Sequence, residues 1–306
     1  MSDIRTRTVR ANGLTFTLDE AGEGDDVALF LHGFPESRRS WRRQLPFMAE
    51  RGWRAVAPDM RGYGQSERPT GRGAYTLDHL TDDVGALFDV LGARRRLLIG
   101  HDWGAVVAWT AAIEQVRPLD GLVIMNVPHP AVYAAHLRRS PSQLAKSWYV
   151  FFFQIPGLPE LLTTANHARL VERAFTQGVA DPSIFSPEDL KVYRDNASAP
   201  GAMTAMINYY RANAARLGGA DKTLTRRIET PTLMIWGEND AFLDVALTEG
   251  YGPYVADFTL RRLPGVSHWV QQEAADEVNR LMAGWLAGLP HGAAAKEKAP
   301  RPGPRG

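Results

Sequence analysis

Five short apolar runs, each closing on a turn-forming residue or a polar one, restrict this chain to few folds. They are "VALFLHG" (27–33), "RAVAPDM" (54–60), "RRLLIGH" (95–101), "LDGLVIMNVP" (119–128) and "PTLMIWGEND" (231–240). Runs of this length without polar alternation are strands buried on both faces. Between them stand helical patterns. One covers 38–51, and another, "TLDHLTDDVGALFDVLG" (76–92), opens on a possible Thr76 cap and stops at Gly92. Strand–helix alternation predicts a doubly wound, mostly parallel α/β sheet. "LTFTLDE" (14–20) alternates as a half-buried edge strand would, and "FTLRRL" (258–263) reads as a late strand. A helix is expected between 240 and 258, and a last one over 270–287.

The pattern breaks from about 129 to 225, where prolines and aromatics are dense and the periodic stretches are helical. The simplest arrangement is a core of residues 1–128 and 226–290 with a helical cap or lid, 129–225, between two of its strands. Residues 291–306, rich in alanine, proline, glycine and basic side chains, read as a disordered tail.

Composition removes several functions. The net charge is +1, so no nucleic-acid or anionic-membrane partner is expected. There is no cysteine, which excludes disulfides, thiolate catalysis and cysteine-bound metal. No run is long enough to span a membrane, and "MSDIRTRTVRANG" has no apolar signal core, so a cytoplasmic location is expected. Oligomeric state is not readable.

Ligands of open α/β sheets bind outside the carboxyl ends of the strands. At those ends stand His32, Gly33, Phe34 and Pro35; Asp102; Asp240; and His268. Asp102 is the centre of "GHDWG", which has the spacing of a nucleophile elbow with a carboxylate where serine usually stands. Taken singly, each has a structural reading. Asp102 is a good helix N-cap, Asp240 a good turn residue, His268 an ordinary loop or core histidine, and "HGFP" a turn. Together they stand in the chain order nucleophile, acid, histidine at the ends of separate strands, which points to chemistry.

These residues resemble the α/β-hydrolase superfamily and, within it, the soluble epoxide hydrolases. The resemblance rests on "HGFP" (32–35), "DMRGYGQS" (59–66), "GHDWG" (100–104), "GEND" (237–240) and "GVSHW" (265–269), and covers about residues 10–288. It implies an eight-stranded sheet with a helical cap. It also implies two cap tyrosines, Tyr149 in "SWYVFFFQIPG" and Tyr210 in "NYYR". Asp102 would attack a saturated carbon, being ionised at neutral pH, with a reference pKa of about 3.9. The phenols would protonate the epoxide oxygen, and His268 oriented by Asp240 would activate water to hydrolyse the ester. Backbone N–H groups of Phe34 and Trp103 would form the oxyanion hole. His32, Pro35, Trp103, Trp148 and Phe152 are expected to line the substrate pocket. The partners are then a small apolar epoxide and water, with no metal and no organic cofactor.

Two rivals use the same scaffold. A dehalogenase shares the aspartate elbow, and Trp103 and Trp148 would offer indole N–H donors to halide. However, Phe34 stands where those enzymes often carry Asn or Glu, and Asn126 replaces the carboxylate that one group places after the following strand. Trp103 and Val106 stand where a fluoroacetate dehalogenase would carry arginines. A non-catalytic receptor on a hydrolase scaffold is the other, and it has no need of Asp102, Asp240, His268 and both tyrosines at once.

Overall fold

The computed structural model describes residues 3–216 and 222–289. Eight strands form one sheet: β1 (Arg5–Ala11), β2 (Leu14–Ala21), β3 (Asp26–Leu31), β4 (Arg54–Pro58), β5 (Arg95–His101), β6 (Gly121–Met125), β7 (Thr232–Gly237) and β8 (Phe258–Leu263). Their order is β1-β2-β4-β3-β5-β6-β7-β8. Only β2 runs against its neighbours; β4 through β8 pair in parallel with β3 at the centre.

Burial follows the strand period. Along β5, Leu98 packs with α2 (Leu77–Val90) and α3 (Trp103–Glu114) on one face. Leu97 and Ile99 face α1 (Gln44–Ala49) and the C-terminal helices α10 (Val270–Glu273) and α11 (Ala275–Leu286) on the other. With both faces covered, the central strands need the continuous apolar runs seen in the sequence. Strand order reverses at β3, with β4 on one side and β5 on the other, so the loops after β3 and β5 open onto one crevice.

Between the adjacent strands β6 and β7 lie six helices: α4 (Pro130–Leu137), α5 (Pro141–Lys146), α6 (Trp148–Phe152), α7 (Leu158–Thr176), α8 (Pro187–Ser198) and α9 (Ala202–Ala215). No strand interrupts this insertion among the described residues. α7 is kinked where Asn166, His167 and Ala168 adopt positive φ.

Several sequence expectations change. β1 is an additional strand, and it rather than residues 14–20 forms the edge. Its "RTRTVRA" shows a largely exposed face, so it carries no apolar run. The expected helix over 38–51 is a 3₁₀ turn, Arg38–Trp41, followed by α1. The helix expected between 240 and 258 is only the 3₁₀ turn Val245–Thr248. The last helix divides at Ala274, whose backbone is non-helical. Thr76 has the N-cap conformation, but its side chain makes no capping bond. Asn213 Oδ1 of α9 accepts from Leu77 N instead, at 2.8 Å. The tail at 291–306 lies outside the described residues.

Candidate active site

The end of β5 meets the start of α3 at Asp102, whose backbone is held at φ 47°, ψ −123°. A non-glycine residue in this region is strained, and surrounding packing must impose it. Glycines permit the close crossing: a Cβ on Gly104 would fall 2.1 Å from Leu31 O, and one on Gly100 2.5 Å from Gly104 O. The result lifts the Asp102 carboxylate to the sheet end, where its side chain keeps 17% accessibility.

Asp102 Oδ1 accepts a hydrogen bond from Phe34 N at 2.7 Å. Oδ2 lies 3.5 Å from His268 Nε2. On its far side His268 Nδ1 donates to Asp240 Oδ2 at 2.7 Å. Asp240 is fixed in turn by Phe242 N and Leu243 N on Oδ1, and by Asn126 Nδ2 on Oδ2 at 2.7 Å. The three predicted residues therefore meet in an Asp–His–Asp row contributed by three strand ends.

Burial disfavours the charged imidazole of His268, but the two flanking carboxylates outweigh it and raise its pKa to about 10. Burial likewise pushes both carboxyls up, but the His268 cation and the donated hydrogen bonds leave Asp102 and Asp240 below the usual range. At neutral pH the row is carboxylate, imidazolium, carboxylate.

Tyr149 and Tyr210 face each other over this row, ring centroids 6.0 Å apart and nearly perpendicular. Tyr210 also stands edge-on to Trp103 at 5.0 Å and to Phe34 at 5.5 Å. Burial, then the Asp102 charge, hold both phenols well above their ordinary pKa, so both remain proton-bearing. Phe242 closes the far wall, edge-on to His268 and to Tyr149.

The sequence pattern of the alpha/beta hydrolase fold matches residues 27–275. Epoxide hydrolase 4 of Homo sapiens is 41% identical over 281 residues, covering 90% of this chain and 76% of that protein. The crystal structure of Bacillus megaterium epoxide hydrolase in complex with an inhibitor matches with a TM-score of 0.82 at 28% identity, over 92% of this chain and 100% of that one. An epoxide hydrolase from Vigna radiata matches with a TM-score of 0.79 at 31% identity, over 93% and 98% of the two chains. The chain belongs to the epoxide hydrolases of the α/β-hydrolase fold.

In this epoxide hydrolase, the residues expected to line the pocket differ in burial and partners. His32 is wholly buried; its Nε2 accepts from Met60 N, so Nδ1 carries the proton and donates to Gly33 O. Burial lowers its pKa, and the neutral ring pins the loop that carries Phe34 N. Pro35 is buried behind Phe34, joined to it by a cis peptide. Trp148, on α6, is 63% exposed. Phe152 is half-buried and packs on Trp148 and Phe153. Trp103 is buried beneath Tyr209 and Tyr210. Among the described residues no cluster of three or more side chains could hold a metal, and no helix is long and apolar enough to cross a membrane.

Sequence reasoning missed a second buried row beneath the first. Glu36 Oε2 accepts from Gly33 N at 2.9 Å and lies 2.7 Å from His101 Nδ1. Glu36 Oε1 accepts from the side chains of Gln271 and Gln272. His101 Nε2 reaches the backbone carbonyl of His268 at 2.9 Å. Both ring nitrogens of His101 thus face oxygen atoms. Burial opposes the Glu36 charge, but His101 and Gly33 N hold the carboxyl below its usual range. This pair ties together the Phe34 loop, the elbow and the His268 loop. The available signal was two titratable residues flush against the motifs, Glu36 after "HGFP" and His101 before Asp102.

Proposed function

We propose that this protein hydrolyses an apolar epoxide to a vicinal diol through a covalent ester on Asp102. The observation that carries the reading is the hydrogen bond from Phe34 N to Asp102 Oδ1. It divides the carboxylate into Oδ1, already seated on an N–H donor, and Oδ2, which lies 3.5 Å from His268 Nε2 and is the attacking oxygen. Oδ2 bonds to a ring carbon as that carbon's bond to the epoxide oxygen breaks. The oxygen leaves as an alkoxide and takes a proton from Tyr149 or Tyr210, whose raised pKa keeps that proton available at any moderate pH.

Esterification removes one of the two charges that hold the His268 proton. The histidine then gives up that proton to the phenolate through solvent, and becomes a base. It takes a proton from water, whose oxygen adds to the Asp102 carbonyl carbon. The negative charge develops on Oδ1, which already accepts from Phe34 N, and Trp103 N at the start of α3 is the second donor of this proposed oxyanion hole. Collapse breaks the acyl–oxygen bond, the diol oxygen takes the hydroxyl proton, and imidazolium and carboxylate are restored. The proposed cap is the six-helix insertion, which brings the two phenols over the row.

Halide displacement fits less well. Trp148, one of the two candidate indole donors, is 63% exposed, and Asn126 is committed to Asp240 and Gly237. His268→Gln with styrene oxide tests the scheme. The variant should accumulate an adduct of protein plus one substrate, mapped by peptide mass spectrometry to Asp102. An unmodified variant, with the wild type producing diol, would overturn the ester route. Chloride release from 1-chlorobutane with no diol from styrene oxide would favour the dehalogenase. Binding without turnover would favour the receptor.

A further inference from the structure

Tyr149 is carried by α6, an element with little to hold it. The helix has five residues, no fully buried side chain and no side-chain cap. Trp148 and Phe151 are 63% and 58% exposed. A helix this short does not persist by itself. Its apolar anchor is Phe153, just past its end, which packs against Phe34, Tyr149 and Tyr210.

The polar anchor comes from the other tyrosine's helix. Arg211 follows Tyr210 on α9, and its guanidinium enters the turn between α6 and α7. Nε donates to Phe153 O at 2.8 Å and Nη2 to Ile155 O at 2.7 Å. Nη1 and Nη2 also grip Glu160, in the first turn of α7, at 2.5 and 3.1 Å. A cation on the carbonyls closing one helix and a carboxylate opening the next suit both helix ends. The side chains of Arg211 and Glu160 are only 13% and 17% exposed, unlike an ordinary surface pair. One fork therefore spans the gap between the tyrosine-bearing helices.

We infer that Arg211 is a positioning residue that sets the separation of the Tyr149 and Tyr210 hydroxyls, and through it the rate of epoxide opening. This rests on the proposed role of the phenols as joint proton donors. Two donors must converge on one oxygen, and a displacement of about 1 Å at a reacting centre costs on the order of 100-fold in rate.

The test is a double-mutant cycle in single-turnover experiments with styrene oxide. Ester formation and ester decay are timed separately by acid quench and mass spectrometry. Arg211→Gln should slow ester formation about 100-fold while ester decay changes by no more than about 2-fold. In a Tyr149→Phe background the same change should cost no more than about 3-fold, because the group it positions is gone. Arg211→Lys, which keeps the charge but not the fork, should recover only part of the rate. If Arg211→Gln does not fold, Glu160→Gln, which weakens one arm of the fork, should give the same pattern at smaller size. Equal losses in both backgrounds, or a parallel slowing of ester decay, would overturn the inference and leave Arg211 a stabilising residue. Failure of the underlying reading shows separately, as a wild type that forms no ester or a Tyr149→Phe variant that opens epoxide at the wild-type rate.

Discussion

Single atoms decide the chemistry around Asp102. A Cβ built on Gly33 would stand 2.3 Å from Asp102 Cβ and 2.4 Å from its Oδ1. The nearest obstruction, Asp102 Cβ, is fixed by the backbone, so Gly33→Ala should displace the elbow together with its carboxylate. Activity on styrene oxide should fall about 100-fold or more, the scale of losing an oxyanion-type hydrogen bond. Thermal unfolding should also move to lower temperature, because the strained elbow has to shift to admit the methyl group. Normal turnover in that variant would mean that the carboxylate does not work from its seat on Phe34 N. At this scale the sequence was informative for side chains at or soon after a strand end, with Asp102 directly after β5, and Asp240 and His268 in the loops after β7 and β8. It placed Glu36 and His101 beside the motifs but could not pair them, because their partnership exists only after segments 65 residues apart are folded together. Nor could the sequence show what His32 touches: both its nitrogens are engaged by backbone, at Gly33 O and Met60 N.

The elements obey the same division. Central strands announce themselves because burial on both faces demands unbroken apolar runs. β1 does not, since an edge strand with an exposed face carries arginine and threonine there. The insertion reads as helical but not as six pieces, although several breaks carry local signals, Ser140 and Ser186 capping α5 and α8 and Gly157 and Gly201 preceding α7 and α9. The N-terminus of α2 shows how a tertiary tie replaces a local signal. Thr76 is in the capping position, but Asn213, from 136 residues further along, supplies the acceptor for Leu77 N. Asn213 Nδ2 also donates to Tyr75 O and Tyr209 O, so this one amide joins α9 to the core. Asn213→Ala should therefore lower stability by about 1–2 kcal/mol, the size of a lost cap. Thr76→Ala should change it by no more than about 0.5 kcal/mol. Urea unfolding of the two variants checks this, and the reverse ranking would restore the cap predicted from sequence.

At the scale of the whole molecule, the proton held by His268 links the site to global stability. Its folded pKa of about 10 lies above the reference 6.5, so the native state binds this proton more tightly than the unfolded chain. The resulting stability is complete below pH 6.5 and is lost as pH rises through about 10. Asp102 and Asp240 act in the opposite sense. Their folded values lie below 3.8, so their contribution is present above 3.8 and is lost as pH falls through those lowered values. Between these limits the row stabilises the junction of three strand ends, where β5, β7 and β8 all deliver loops to one crevice. Wild type should lose stability on going from pH 7 to pH 10 at about 1 kcal/mol per pH unit from this group. His268→Gln has no such proton to release, so its stability should fall less steeply over the same range. Urea unfolding of both proteins at each pH, with circular dichroism as the readout, isolates the difference. Parallel curves would show that His268 is not an imidazolium at rest. The base would then already be neutral before the ester forms, and the ordering of proton transfers proposed for the reaction would have to be reversed.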